Sequence, residues 1–288
     1  MNKINLAFLS ILSIFKGASA QNTNVAKVAT KVKSEKHLSS SILLWMRTDK
    51  PRQAGMDRWK GPHSQIISAN PGLWEYRQIH FAENNTGLWQ PINGVETNIP
   101  QDRKIDGVAD VTLKNIFSIF RGKKQNKLAS ADEVNLFKRT ILYAAFPKNS
   151  RWYNLAEPTA KIEARSMVFF RIKEGVNEKD FKKFINEELT PTLAITNMLK
   201  ELRNKVYNPW KQKQWLTPNV LHDNDKADQF QASLILGFAN KSEMEKFFNS
   251  EEIKKLSERI AVFCSAVHAY EIAETITFVK NGKPIKFN

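Results

Sequence analysis

Ser41-Ile42-Leu43-Leu44-Trp45-Met46 is apolar after its opening serine and is closed by Thr48, Asp49 and Pro51. A short apolar run ended by turn formers predicts a strand buried in a sheet. At an offset of 125 residues stands Ser166-Met167-Val168-Phe169-Phe170-Arg171, a run of the same character. The segment after each run also repeats. Gly55 to about Ile67 is a helical segment carrying Trp59 and His63; Glu178 to Leu189 is another, with Phe184 set against Trp59 and Glu188 against His63. Both pairs are spaced i, i+4 and share a helix face. A recurring strand–helix unit predicts two copies of one module.

The remainder of each copy can be read outward from these segments. In the first, Gly72 to Phe81 follows a Pro-Gly turn and reads as a strand, and Ile105 to Leu113 reads as another. Ser130 to Phe146 reads as a helix, with Ser130 and Glu133 forming a capping box. Arg151 to Ile162 reads as an edge strand broken by Pro158. In the second, Gln231 to Phe238 is a strand, Ser242 caps a helix with Glu245 at the capping-box position, and 251–262 is a further helix. Ala266 to Val279 is strand-like and ends in a turn at Lys280-Asn281-Gly282. Asn197 to Tyr207 reads as a helix, and the residues up to 229 as a loop, where a simple copy would carry a strand. The expected class is therefore α+β: two ferredoxin-like (β-α-β-β-α-β) copies, 39–163 and 164–288. Their antiparallel sheets can close into a barrel that hides its edges.

Two segments precede the first copy. Met1-Asn2-Lys3, the apolar run Ile4 to Phe15, and Ala18-Ser19-Ala20 form a secretory pattern. The reading is a signal peptide over 1–20, cleaved near Ala20, and a secreted or periplasmic product, although Lys16 sits where the cleavage region is usually neutral. Residues 21–38 are polar and lysine-rich and read as a flexible lead-in. No later stretch is long and apolar enough for an integral membrane segment. The whole chain has 288 residues, enough for one large domain or two ordinary ones, and a net charge of +15. Its bases alternate with acids over most of the length, as in Glu251-Glu252-Ile253-Lys254-Lys255, which is the pattern of solvated helix faces. The densest basic patch, Arg121 to Lys127, reads as a loop, and no nucleic-acid partner is expected. A lone cysteine, Cys264, excludes an intramolecular disulfide and any cysteine-cluster metal site.

Arg47, Met56-Asp57-Arg58-Trp59-Lys60-Gly61-Pro62-His63 and Pro71-Gly72-Leu73-Trp74-Glu75-Tyr76-Arg77-Gln78-Ile79-His80 together resemble the EthD-like family. The resemblance implies the dimeric α/β-barrel superfamily, with a helix carrying an aromatic and a histidine four apart, then a strand rich in Tyr and Arg. The second copy looks like a diverged relative, with Glu188 where the histidine would stand. Two copies in one chain imply an intrachain version of the dimer, either as a monomer with a pseudo-dimeric barrel or as a homodimer. The family includes enzymes that decarboxylate or dehydrate aromatic polyketides and proteins required near oxygenases, and barrels of the superfamily also hold haem.

Candidate chemistry rests on few residues. Alternation along the strand 73–81 places Trp74, Tyr76, Gln78 and His80 on one face and Glu75, Arg77, Ile79 and Phe81 on the other. The first set suits a pocket for a small apolar or aromatic molecule; an incidental histidine on a half-exposed face is the plainer alternative. His63, with Pro62 before it, is the candidate general acid/base, since imidazole titrates near neutrality. The alternative is a histidine bonded to backbone at a kink. Tyr76, Arg47 and His80 are expected to orient substrate, and Trp59, Trp74 and Gln78 to line the site. His268 and Tyr270 share a face of the last strand, as a second pocket or a remnant of the repeat. His222 with Asp223 matches no standard metal spacing, so no metal is expected. Trp210 and Trp215 either lid a pocket or anchor a loop. Nucleotide-binding glycine loops, GxSxG and HExxH are missing. Three functions fit these residues: an enzyme without a cofactor, acting by decarboxylation, dehydration or oxygenation; a haem protein with a histidine ligand; and a carrier or accessory protein that binds without turnover.

Overall fold

The runs around Leu43 and Phe169 are central strands with side chains buried on both faces, and the other strands are laid out beside them. The computed structural model describes residues 32–155 and 161–286; the segment 1–20, read from the sequence as a signal peptide, lies outside the described residues. In chain order the strands are β1 (Ser34–Lys36), β2 (Leu38–Met46), β3 (Leu73–Phe81), β4 (Gly107–Leu113), β5 (Phe137–Ala145), β6 (Ser150–Tyr153), β7 (Ala164–Ile172), β8 (Glu201–Val206), β9 (Ala232–Phe238), β10 (Cys264–Lys280) and β11 (Lys283–Pro284). They form one antiparallel sheet in the order β1-β6-β8-β9-β7-β10-β3-β4-β2-β5, with β11 on β10. Both β3-β4-β2-β5 and β8-β9-β7-β10 place the first and third strands of a four-strand stretch side by side, flanked by the second and fourth.

β10 joins these stretches. Its 17 residues pair with β7 up to Ile272 and with β3 from Ile272 onward. At the other end Ala145 closes β5, and Pro147, which has no N–H for a ladder, separates it from β6, which pairs with β8. The Asn208 N–H donates to the Ala144 carbonyl at 2.8 Å, lacing that side as well.

The two faces of the sheet bury different material. Leu43, Trp45, Ile79, Phe81, Val108, Ile141, Tyr143, Met167, Phe169, Ile235 and Tyr270, drawn from seven strands, form one cluster that the sheet wraps around. Leu44, Met46, Tyr76 and Phe137 pack outward against the helical segment 52–68. Val168, Phe170, Leu234 and Val267 pack outward against the helical segment 178–194 and the helices Lys241–Phe248 and Glu251–Phe263.

Several local expectations change. Phe137–Ala145 is a strand rather than the end of a helix, and the helix before it is Lys123–Glu133, so the basic patch is helical and not a loop. The residues Phe137, Ile141 and Leu142 satisfy helical spacing, but Ile141, Tyr143 and Ala145 also alternate, and pairing with β2 settles the matter. Glu201–Val206 is a strand rather than a helix. Its inward side chains are charged, which obscures the usual apolar alternation. Asn240, not Ser242, caps the helix Lys241–Phe248, accepting from the Glu243 N–H at 2.9 Å. Ser34–Lys36 of the lead-in is paired with β6. The turn at Asn281-Gly282 is present, with φ of 52° and 73°.

Candidate functional site

The candidate residues lie in two layers on opposite faces of the sheet. On the outer face, Tyr76, Gln78 and His80 point from β3 toward the helical segment 52–68. That segment widens into a π turn at Trp59–His63, where Gly61 departs from helical angles and Pro62 cannot donate to the ladder. A second π turn occupies Phe184–Leu189, at the 125-residue offset from the first. Trp59 is fully buried and stacks on His80 with centroids 4.5 Å apart. Gln78 Nε2 donates to the Trp59 carbonyl at 2.7 Å and to the Tyr76 hydroxyl at 2.8 Å. Gln78 Oε1 accepts from His80 Nε2 at 3.0 Å. Burial pushes His80 down to about 4, with the Glu274 carboxylate only partly opposing it, so the ring is neutral at pH 7. Burial likewise raises the Tyr76 hydroxyl above its ordinary range. These four side chains form a packed, mutually satisfied layer.

His63 is buried beside them. Its Nδ1 donates to Asp132 Oδ2 at 3.1 Å, and its ring meets Phe137 edge-on at 5.9 Å. Asp132 also accepts from Arg58. The hydrogen bond from His63, with help from Arg58, outweighs burial and holds the Asp132 carboxyl well below the usual range. Arg47 is not brought to this layer: it pairs with Asp49 at 2.6 Å and donates to the Val134 carbonyl at 2.7 Å. Trp74 borders an open groove of about 630 Å³ with Leu38, Leu113, Ile116 and Phe146.

Residues 208–224, inserted between β8 and β9, clamp the open edge of this layer. The Thr217 hydroxyl donates to Glu133 Oε2 at 2.6 Å, and Val220 enters the cluster of Trp59 and Phe137. Both nitrogens of His222 are engaged, Nδ1 with the Thr140 carbonyl at 2.8 Å and Nε2 with the Thr217 N–H at 2.8 Å. Trp210 packs against the enclosed cluster.

On the inner face, His268 borders a cavity of about 60 Å³ at one end of the enclosed cluster. Its apolar walls include Leu43, Trp45, Ile141 and Phe230; Tyr143, Arg171 and Glu96 supply polar groups. Glu96 is fixed by backbone bonds to β10: its N–H donates to the Ser265 carbonyl and its carbonyl accepts from the Val267 N–H, both at 2.9 Å. Its Oε1 lies 2.7 Å from His268 Nε2 and 3.3 Å from Arg171 Nη1. The Arg171 guanidinium sits over Phe230 at 5.5 Å. Burial lowers His268, and the Glu96 carboxylate opposes that. Burial pushes Tyr143 up to about 12, while its hydroxyl accepts from Asn224 Nδ2 at 2.8 Å. Tyr270 stacks on Phe81 at 4.4 Å and accepts from the Ile105 N–H at 3.3 Å.

Reasoning from sequence missed Glu96, Tyr143, Arg171 and Asp132. The 125-residue spacing of the two apolar runs also separates Tyr143 from His268 (268 − 143 = 125), so one of them had a signal; Glu96 sits in a loop and had none. A haem does not fit the His268 cavity, which is far below the several hundred Å³ that cofactor pockets occupy. The Nε2 atoms of His80 and His268 and both nitrogens of His222 already hold protein partners.

No family model matches the chain, and no curated protein matches it. Solved structures do. A candidate monooxygenase from Lactobacillus acidophilus NCFM covers 88% of this chain with 100% of its own, at 9% identity and a TM-score of 0.50. An anthrone oxidase-like protein covers 85% with 96% of its own, at 9% identity and a TM-score of 0.53. A candidate monooxygenase from Fusobacterium nucleatum covers 88% with 98% of its own, at 6% identity and a TM-score of 0.53. The likeness runs through almost the whole of each neighbour and is one of fold: the chain shares its α+β arrangement, built on a large antiparallel sheet, with these proteins.

Proposed function

We propose that the chain is a secreted, tandem α/β-barrel protein of the EthD-like kind that binds a small organic molecule and moves a proton on it without a cofactor. Its two ferredoxin-like copies, 39–163 and 164–288, would close one barrel within a single chain, as the matching strand orders and the two π turns support. The observation that carries the functional reading is the Glu96–His268 pair beside a cavity with both apolar and charged walls. With Nε2–H given to Glu96, Nδ1 is the basic nitrogen, and burial keeps it unprotonated near neutrality. Such a base can take a proton from an acidic C–H or O–H, while Arg171 stabilises the anion that forms. The neighbours described as monooxygenases and anthrone oxidase-like fit this proton handling. A volume of about 60 Å³ holds only a few heavy atoms, so an aromatic substrate requires displacement of the rim loops at Pro100–Arg103 and 224–230.

His63 with Asp132 is the second proton-transfer pair, and kinetics separates the two. Small enolisable and aromatic acids would be screened for turnover and for solvent deuterium incorporation. His268→Gln should abolish both, while His63→Gln should leave at least a tenth of the rate. Loss only in His63→Gln would move the site to the helix layer. Stoichiometric binding with no turnover in the unmodified protein would make it a carrier and end the enzyme reading.

A further inference from the structure

Between Asp110 and Asp132 the chain contains no acidic residue, while Lys114, Arg121, Lys123, Lys124 and Lys127 provide five bases. The same stretch carries a concentration of exposed apolar side chains. Ile116 is 48% exposed, Phe117 69%, Ile119 48%, Phe120 63% and Leu128 45%. Ile116 and Phe117 sit on the turn that leads into the one-turn helix Ser118–Arg121, Ile119 and Phe120 on that helix, and Leu128 on the helix Lys123–Glu133 that follows it. The tip is anchored, not splayed: the Lys114 N–H donates to the Gly72 carbonyl at 3.0 Å, and Lys114 Nζ to the Pro71 carbonyl at 2.9 Å. Two phenylalanines and two isoleucines held into solvent from a fixed base are unfavourable in water unless something covers them.

We propose that residues 114–128 dock the protein onto an anionic lipid bilayer. Phe117 and Phe120 would enter the boundary between headgroups and acyl chains, and the five bases would meet lipid phosphates. Charge selects this occupant. A second copy would set five bases against five, and a nucleic acid would gain nothing from Ile116, Ile119 and Leu128, which cannot stack on bases. This mode needs no membrane-spanning helix, and none is present among the described residues. It is independent of the chemistry assigned to His268.

The test is flotation of the full chain with phosphatidylcholine vesicles, with and without added phosphatidylglycerol, at low and high salt. The unmodified protein should float with the anionic vesicles at low salt and be released as salt rises. Phe117→Ser/Phe120→Ser and Lys123→Glu/Lys124→Glu should each weaken partitioning about tenfold or more, with unchanged far-UV circular dichroism. Equal flotation of the phenylalanine variant would place binding elsewhere, for instance in the apolar run Ile4 to Phe15, and overturn the proposal. No flotation of the unmodified protein would also overturn it, and so would a dimer or an RNA complex that forms without vesicles and is lost in the phenylalanine variant.

Discussion

His80, His268 and His63 are all buried, yet their partners give them different capacities. His80 is stacked on Trp59 and donates to Gln78, an amide that cannot become charged, and the half-exposed Glu274 carboxylate 3.8 Å from its Nδ1 compensates protonation only in part. Its folded value of about 4 lies below the ordinary 6.5, so the unfolded chain binds the proton first. His80 therefore favours the folded state fully above about pH 6.5, and that contribution is lost as pH falls toward about 4. His80→Phe should lower stability at pH 7 by about 1 kcal/mol through the lost hydrogen bond. Between pH 6.5 and 4 its stability should fall less steeply than that of the unmodified protein. Urea titrations across that range check this, and parallel curves would show that His80 does not titrate as described. His268 shifts in the same direction but has a carboxylate on its ring, the arrangement a general base needs.

At the scale of elements, the π turns and the inserted segment decide how tightly the helix layer closes. The Trp59 ring closes on Gly107 of β4: a β-carbon there would stand 2.6 Å from Trp59 Cζ3 and 2.7 Å from the Ile79 carbonyl. Gly107→Ala should destabilise the fold by about 1–3 kcal/mol and shift the tryptophan emission as Trp59 is displaced. A variant with wild-type melting and emission would mean the layer is looser than described. The inserted segment 208–224 holds through Thr217 and Glu133, a buried carboxyl whose value burial raises while the Thr217 hydroxyl bond opposes. Thr217→Val should cost about 1–3 kcal/mol and speed amide exchange at Val220 and Leu221 before the sheet itself opens. Unchanged exchange there would remove the clamp from the account.

Taken whole, the molecule depends on charges that reach across the enclosed core. Lys205 of β8 contacts Asp110 of β4 and donates to the Ser41 hydroxyl at 3.0 Å, and Arg77 of β3 reaches Glu201 of β8 at 2.6 Å. Arg203 pairs with Glu75 in the same network. Burial pushes the Asp110 carboxyl up, but Lys205 and Arg77 outweigh it and hold it at about 2. Asp110→Ala would leave two buried cations short of a partner and should cost about 3–5 kcal/mol in chemical denaturation. Adding Lys205→Met should recover part of that loss. No recovery would mean that Arg77, not Lys205, carries the pairing. Because β10 belongs to both four-strand stretches, denaturant unfolding should be a single transition by near- and far-UV signals alike.

Local pattern sufficed for β2, β3, β7, β9 and β10, whose apolar or alternating runs need no distant partner to be read. It also located the two helix segments in which Trp59 and Phe184 begin their π turns. It failed at β8, because Glu201, Arg203 and Lys205 turn charge inward, and among their partners are Arg77, Glu75 and Asp110 of β3 and β4, more than 90 residues away. The strand register differs in a similar way. The runs at Ser41 and Ser166 align at 125 residues, yet Leu43 and Trp45 share the inner face with Met167 and Phe169, an offset of 124 (167 − 43). A one-residue slip exchanges the two faces of a strand, and only pairing with neighbours sets it. Residue order was enough for the α+β class and for the helical segment that carries Trp59 and His63. Long-range packing was needed to close Tyr76, Gln78 and His80 into a filled layer, to bring Glu96 to His268, and to hold a basic, aromatic tip in solvent. Periodicity records which side of an element is buried; what lies against that side depends on contacts between residues far apart in the chain.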